Sequence, residues 1–87
     1  MLVMGSNHWE NDIPENVLVK QALRFADGVK AQGIAELRNF FLAQEKKLLW
    51  CTWETSDLEA LTKAFAEMNE ESGLVSELTP VEDKYPG

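Results

Sequence analysis

Apolar and polar positions change period several times along the chain, and each change marks an element. The run Leu48-Leu49-Trp50-Cys51-Thr52-Trp53 is short, rich in aromatic and aliphatic residues, and bounded by charge. That pattern predicts a strand. Successive strand side chains point to opposite faces, so Leu48 and Trp50 share one face and Leu49, Cys51 and Trp53 the other. Both faces are apolar. Met1 to Trp9 starts apolar and ends polar and reads as a first strand. Ile34 to Ala43 reads as a second strand, and Leu74 to Val81 as a fourth. Pro80 cannot donate to a ladder, which assigns the fourth strand to an edge.

Between these runs the period becomes helical. Leu18, Ala22, Phe25 and Val29 fall at steps of four, three and four, which places them on one helix face. Asp12 and Glu15 have capping-box spacing, and Pro14 alternatively suits the first helical position. Gly28 weakens the last turn of this helix, and Gly33 stands where a C-terminal cap belongs. A second helix opens at "TSDLEAL", with Ser56 and Glu59 as a capping box and Asp57 in the first turn. Leu58, Leu61, Phe65 and Met68 form its apolar stripe, and Gly73 ends it.

The order is strand, helix, strand, strand, helix, strand. With right-handed crossovers on a shared sheet it predicts a ferredoxin-like α+β fold, βαββαβ. Its four-stranded antiparallel sheet carries two helices on one face. The first and third strands are expected in the middle, parallel to each other, with the second and fourth at the edges. A four-residue loop, Ala43 to Lys46, joins the second and third strands. In that register Phe41 opposes Leu48, Asn39 opposes Trp50 and Arg38 opposes Cys51. Two helices cover only one sheet face, yet Trp50 and Trp53 point to opposite faces. Each tryptophan buries roughly 200 Å², and an apolar face of that kind usually marks a contact. An identical sheet from a second subunit is the simplest cover, so a homodimer is expected, with a pocket between the sheets.

Composition narrows the partners. The 87 residues make a single domain, with an ordered core over 1–81 and a polar tail over 82–87, and carry eight basic and fifteen acidic side chains, a net charge of −7. Such a balance opposes nucleic acid, which needs a basic footprint, and anionic membrane surfaces. No apolar stretch approaches the ~20 residues of a membrane span. One cysteine forms no internal disulfide, and the N-terminus lacks the basic region of a signal peptide. A cytoplasmic location is the default expectation.

Candidate chemistry is sparse. Trp9, Trp50 and Trp53 are candidate walls of an aromatic ligand pocket, with Arg38 and Asn39 as the polar groups that would orient a bound molecule. The competing reading of the tryptophans is core and dimer packing. His8 and Glu10 lie two apart at the end of the first strand, and Glu36 or Glu54 would be a third ligand for a metal. One histidine and one cysteine make a poor transition-metal set, so no metal site and no cofactor is expected. Cys51 reads as a small buried hydrophobe; a reactive thiolate would need a cationic partner such as Arg38. No nucleophile triad, phosphate loop, dinucleotide fingerprint or zinc motif is present.

The second half, "WCTWETSDLEALTKAFAEMNEESGLVSELTPVED", resembles small ferredoxin-like proteins of the dimeric α/β-barrel superfamily. The matching positions are Cys51 in a strand before the helix, Ser56 and Glu59 at the helix start, and Pro80 in the last strand. One branch of these proteins binds nickel through histidines in the first strand and the second helix. His8 matches the first position, but Ser56 to Glu71 holds no histidine. The resemblance implies a homodimer and permits a cofactor-independent enzyme, such as a monooxygenase or isomerase, with His8 as acid or base. The expected role is a small-molecule binding or accessory protein that uses the cavity between the sheets. The enzyme is the alternative, and a weak metal-binding protein the third reading.

Overall fold

The computed structural model describes residues 1–86. The chain runs β1 (Leu2–His8), α1 (Glu15–Ala31), β2 (Ala35–Ala43), β3 (Leu48–Thr55), α2 (Leu58–Ser72) and β4 (Val75–Val81), with a 3₁₀ turn over Gln44–Lys46. The sheet order is β2-β3-β1-β4, and every neighbouring pair is antiparallel. This is the ferredoxin-like α+β arrangement.

The central strands correct one expectation. β1 and β3 pair antiparallel, not parallel. The α1 crossover returns β2 in the direction of β1, and the hairpin then reverses the chain. β3 inserts between the two and opposes both. Pro80 does sit in the edge strand β4, with Val3 as its only cross-strand neighbour.

The hairpin register differs as well. Phe41 opposes Trp50, Asn39 opposes Thr52, and Phe40 opposes Cys51. Near the turn each pairing lies two positions along β3 from the expected one, so the side chains from Asn39 to Ala43 keep their expected face. The cause is the turn. Ala43 stays in β2, and Gln44–Lys47 make the reversal, with Lys47 at φ 53. Further on, a bulge at Arg38, between Leu37 and Asn39, shifts the ladder again. Lys47 also ties the turn to the β1–α1 connection, since its Nζ donates to the Glu10 carbonyl at 2.6 Å and lies 3.1 Å from Asp12.

The helix ends show which local signals won. Pro14 immediately precedes α1 and no side chain caps that terminus, so the Asp12–Glu15 box is unused. α2 is capped by Asp57 rather than Ser56: Asp57 Oδ1 accepts from the Ala60 N–H at 3.0 Å. Thr55 fixes this choice. Its buried hydroxyl donates to the Ile34 carbonyl at 2.6 Å and accepts from the Asp57 N–H at 3.0 Å. Gly33 and Gly73 follow the two helices at φ 72 and 77, a conformation that side chains disfavour.

Burial settles the two-faced strand. Along β3 the pattern alternates strictly, with Leu49, Cys51, Trp53 and Thr55 buried beneath the helices. Trp50 points to the uncovered face. Val3, Leu18 and Leu61 form the most deeply buried part of the core, joined by Trp53 and Phe65.

Candidate functional site

Four aromatic rings and the sheet enclose a small cavity on the helix side. Phe25 comes from α1, Phe65 from α2, Phe40 from β2 and Trp53 from β3, and all four line it. Phe25 and Phe65 each meet the Trp53 ring at close to a right angle, with centroids 5.8 and 5.7 Å away. Edge-to-face contacts of this kind suit the ring quadrupoles. Leu18, Ala22, Leu37, Leu49, Met68 and Leu74 complete the apolar wall.

The floor holds two polar side chains, Asn7 and Cys51. Asn7 is 2% exposed in the middle of the sheet, because β1 places Val3, Gly5 and Asn7 on the helix side. An amide there must find partners or destabilise the fold. It finds them on both sides. Asn7 Nδ2 donates to the Leu49 carbonyl at 3.0 Å and to Cys51 Sγ at 3.6 Å. The Ser76 hydroxyl donates to Asn7 Oδ1 and lies 3.2 Å from the Asn69 carboxamide. The network thereby links β1, β3, β4 and α2.

Cys51 receives a second hydrogen bond, from Trp53 Nε1 at 3.0 Å. Burial pushes its thiol above the ordinary range, and the bonds from Trp53 and Asn7 oppose that shift without cancelling it. At neutral pH the group is a neutral thiol. With its polar atoms satisfied internally, the cavity offers a ligand mainly carbon surface.

The cavity alone is small, about 30 Å³, enough for a water molecule. It adjoins a groove of about 440 Å³ between α1 and α2. Gln21, Phe25 and Met68 border both spaces. The groove, open to solvent, is by itself of the size of small-molecule sites, typically 300–1,000 Å³.

The residues singled out from the sequence are dispersed. Trp53 lines the cavity. Trp9 is buried but is not among the cavity residues, and its Nε1 has no partner. Trp50 lies on the uncovered face, opposite Phe41 and Ser6. Asn39 donates to Thr52 Oγ1 at 3.0 Å on that same face. Arg38 is exposed at the bulge, and Phe40 holds the place opposite Cys51 that Arg38 was expected to fill. His8 is exposed, and strand alternation turns it away from the Asn7 side. It therefore cannot act on a molecule in this cavity. Glu10 lies beyond the end of β1. Among the described residues, no three His, Cys, Asp or Glu side chains are grouped to hold a metal, and no helix is long and apolar enough to cross a membrane.

Asn7, Phe25, Phe40 and Phe65 escaped the sequence reading as site residues. Asn7 carried a signal: a polar side chain in phase with Val3 and Trp9, two positions from a glycine. The phenylalanines carried none, since core packing produces the same spacing.

No protein-family model matches the chain, and no curated protein matches it in sequence. Two solved structures share its fold. One is protein Atu4242 from Agrobacterium tumefaciens, with a TM-score of 0.56 and 10% identity over 99% of this chain and 98% of that one. The other is an antibiotic biosynthesis monooxygenase, with a TM-score of 0.51 and 12% identity over 95% of this chain and 100% of that one. At such identities the likeness establishes a shared ferredoxin-like fold.

Proposed function

We propose that this chain binds a small, flat, largely apolar molecule between its helices and its sheet. The observation that carries the reading is the aromatic enclosure over Asn7 and Cys51, separated from the groove between α1 and α2 by Gln21, Phe25 and Met68. Apolar walls with a few placed polar groups are the usual make-up of a small-molecule site. Displacement of the Phe25 and Met68 side chains would join the two spaces. The sequence expectation placed the ligand between two sheets; the cavity within one chain favours the helix side instead.

The test uses N-phenyl-1-naphthylamine, an uncharged fluorescent ring compound. Saturable, blue-shifted emission is expected with the wild type. Ala22→Phe, which fills the cavity from α1, should abolish it while the chain stays folded by circular dichroism. No saturable emission from the wild type, or equal emission from Ala22→Phe, refutes the reading.

A second reading is a monooxygenase that acts on such a molecule. The fold likeness to the antibiotic biosynthesis monooxygenase supports it. Fold alone does not carry function. Oxygen consumption dependent on an added phenolic ring compound would favour the enzyme; its absence with tight probe binding would leave a binding protein.

We further propose that the uncovered sheet face is the contact for a second copy of the chain. Phe41 and Val75 are 59% and 55% exposed there, beside Met4, Leu48 and Trp50. A self-complementary interface of standard size covers about 800 Å² per partner, comparable to one face of a four-stranded sheet.

A further inference from the structure

We infer that the cavity beneath Phe25 and Phe65 excludes water and takes up an apolar gas of the size of dioxygen or xenon, with every side chain left in place. The inference goes beyond the ring-compound reading and does not depend on it. Size is the first argument. At about 30 Å³ the space as it stands holds a body the size of a water molecule, and a ring enters only by displacing side chains.

The second argument is that water has nothing to hold it there. A buried water needs about two to four polar partners. The polar side chains on the wall are Asn7, Gln21 and Cys51, with the Trp53 indole beside them. Their hydrogen-bonding capacity is used elsewhere. The Asn7 amide donates to the Leu49 carbonyl at 3.0 Å and to Cys51 Sγ at 3.6 Å, and its oxygen accepts from Ser76. The Trp53 N–H goes to Cys51 Sγ at 3.0 Å, and the Cys51 thiol donates to the Gly5 carbonyl at 3.8 Å. Gln21 is exposed on α1, where solvent serves its amide. What remains is a lone pair on the Asn7 oxygen, too little for a buried water.

The walls favour an apolar guest instead. Phe25, Phe40, Phe65 and Trp53 present rings, and Met68 and Cys51 present sulfur. These are polarisable surfaces that attract through dispersion. Xenon and dioxygen give up no strong hydrogen bond on leaving water, and dry apolar cavities do bind xenon. The ligand class that fits is a small gas without polar groups.

The measurement is methyl NMR under xenon pressure and, separately, under dioxygen pressure. Xenon should shift the signals of Leu18, Leu49, Leu74 and Met68, which line the cavity, and the shifts should saturate. Paramagnetic dioxygen should relax the same methyls more strongly than those of Leu23 and Val75, although these two are exposed. Ala22→Leu, which fills the space from α1, should lose both effects. Ala66→Leu, on the exposed side of α2, should keep both. If Ala22→Leu does not fold, Ala22→Val carries the same comparison. Xenon shifts that do not saturate, dioxygen relaxation that merely follows exposure, both effects persisting when position 22 is filled, or a nuclear Overhauser effect from a long-lived water to the lining methyls overturns the inference. Failure of N-phenyl-1-naphthylamine to bind would end the ring-compound reading and leave this one standing.

Discussion

The Trp53 indole donates its N–H to Cys51 Sγ at 3.0 Å, although the two residues are only two apart on the same strand. Both point beneath the helices, where the sulfur accepts from an indole that packs edge-to-face with Phe25 and Phe65. The bond fixes the ring plane that forms one wall of the cavity. It also leaves Cys51 buried, hydrogen-bonded and neutral.

Cys51 should be inert in the folded protein. A thiol reagent at neutral pH is expected to label it only after denaturant is added, since the thiolate is the reactive form and burial disfavours it. The same shift gives a pH dependence. The folded thiol titrates above its unfolded counterpart, so its contribution to stability is complete below the unfolded thiol's pKa. That contribution is lost as pH rises through it toward the folded value. Urea titrations should place the decline above about pH 8.5, and Cys51→Ser should lessen it.

Gly5 and Cys51 should be coupled. Gly5→Ala puts a methyl group 2.8 Å from Cys51 Sγ and 3.3 Å from Leu78, an overpacking expected to cost about 1–3 kcal/mol. Cys51→Ala removes the sulfur and should relieve much of that clash. Chemical denaturation of both single variants and the double variant is expected to show a favourable interaction energy of about 1 kcal/mol. Strict additivity would mean that the backbone, not the sulfur, limits position 5.

The two tryptophans of β3 should fail differently. Trp53→Ala removes a buried ring from the core and should cost about 3–5 kcal/mol in stability. Trp50→Ala lies on the opposite face, where a large aromatic is expected to anchor the second copy. Sedimentation should show a wild-type dimer at micromolar concentration and a folded Trp50→Ala monomer. A wild-type monomer at all concentrations would refute the proposed contact and leave the exposure of Phe41 and Val75 without a partner.

Much of the fold is legible in the sequence because hydrophobic period and punctuation agree locally. Gly33 and Gly73 lie where the helices end, and Pro80 lies in an edge strand. What failed was set by chemistry that period does not record. The hairpin register depends on Lys47 adopting a left-handed conformation and on a bulge at Arg38, neither of which has a glycine to announce it. The α2 cap moved to Asp57 because Thr55 bonds across to Ile34, a tertiary contact. The parity of β3 was equally apolar on both faces, and only the helices distinguish Trp53 from Trp50. The site residues converge from five elements, so no local stretch could reveal them.

Diffraction from crystals soaked with N-phenyl-1-naphthylamine tests the helix-side site most directly. The expected result is ring density between Phe25, Phe40, Trp53 and Phe65, with the Phe25 side chain turned toward the groove. Density confined to the sheet face against Trp50 and Phe41, with the aromatic cluster unchanged, would contradict it.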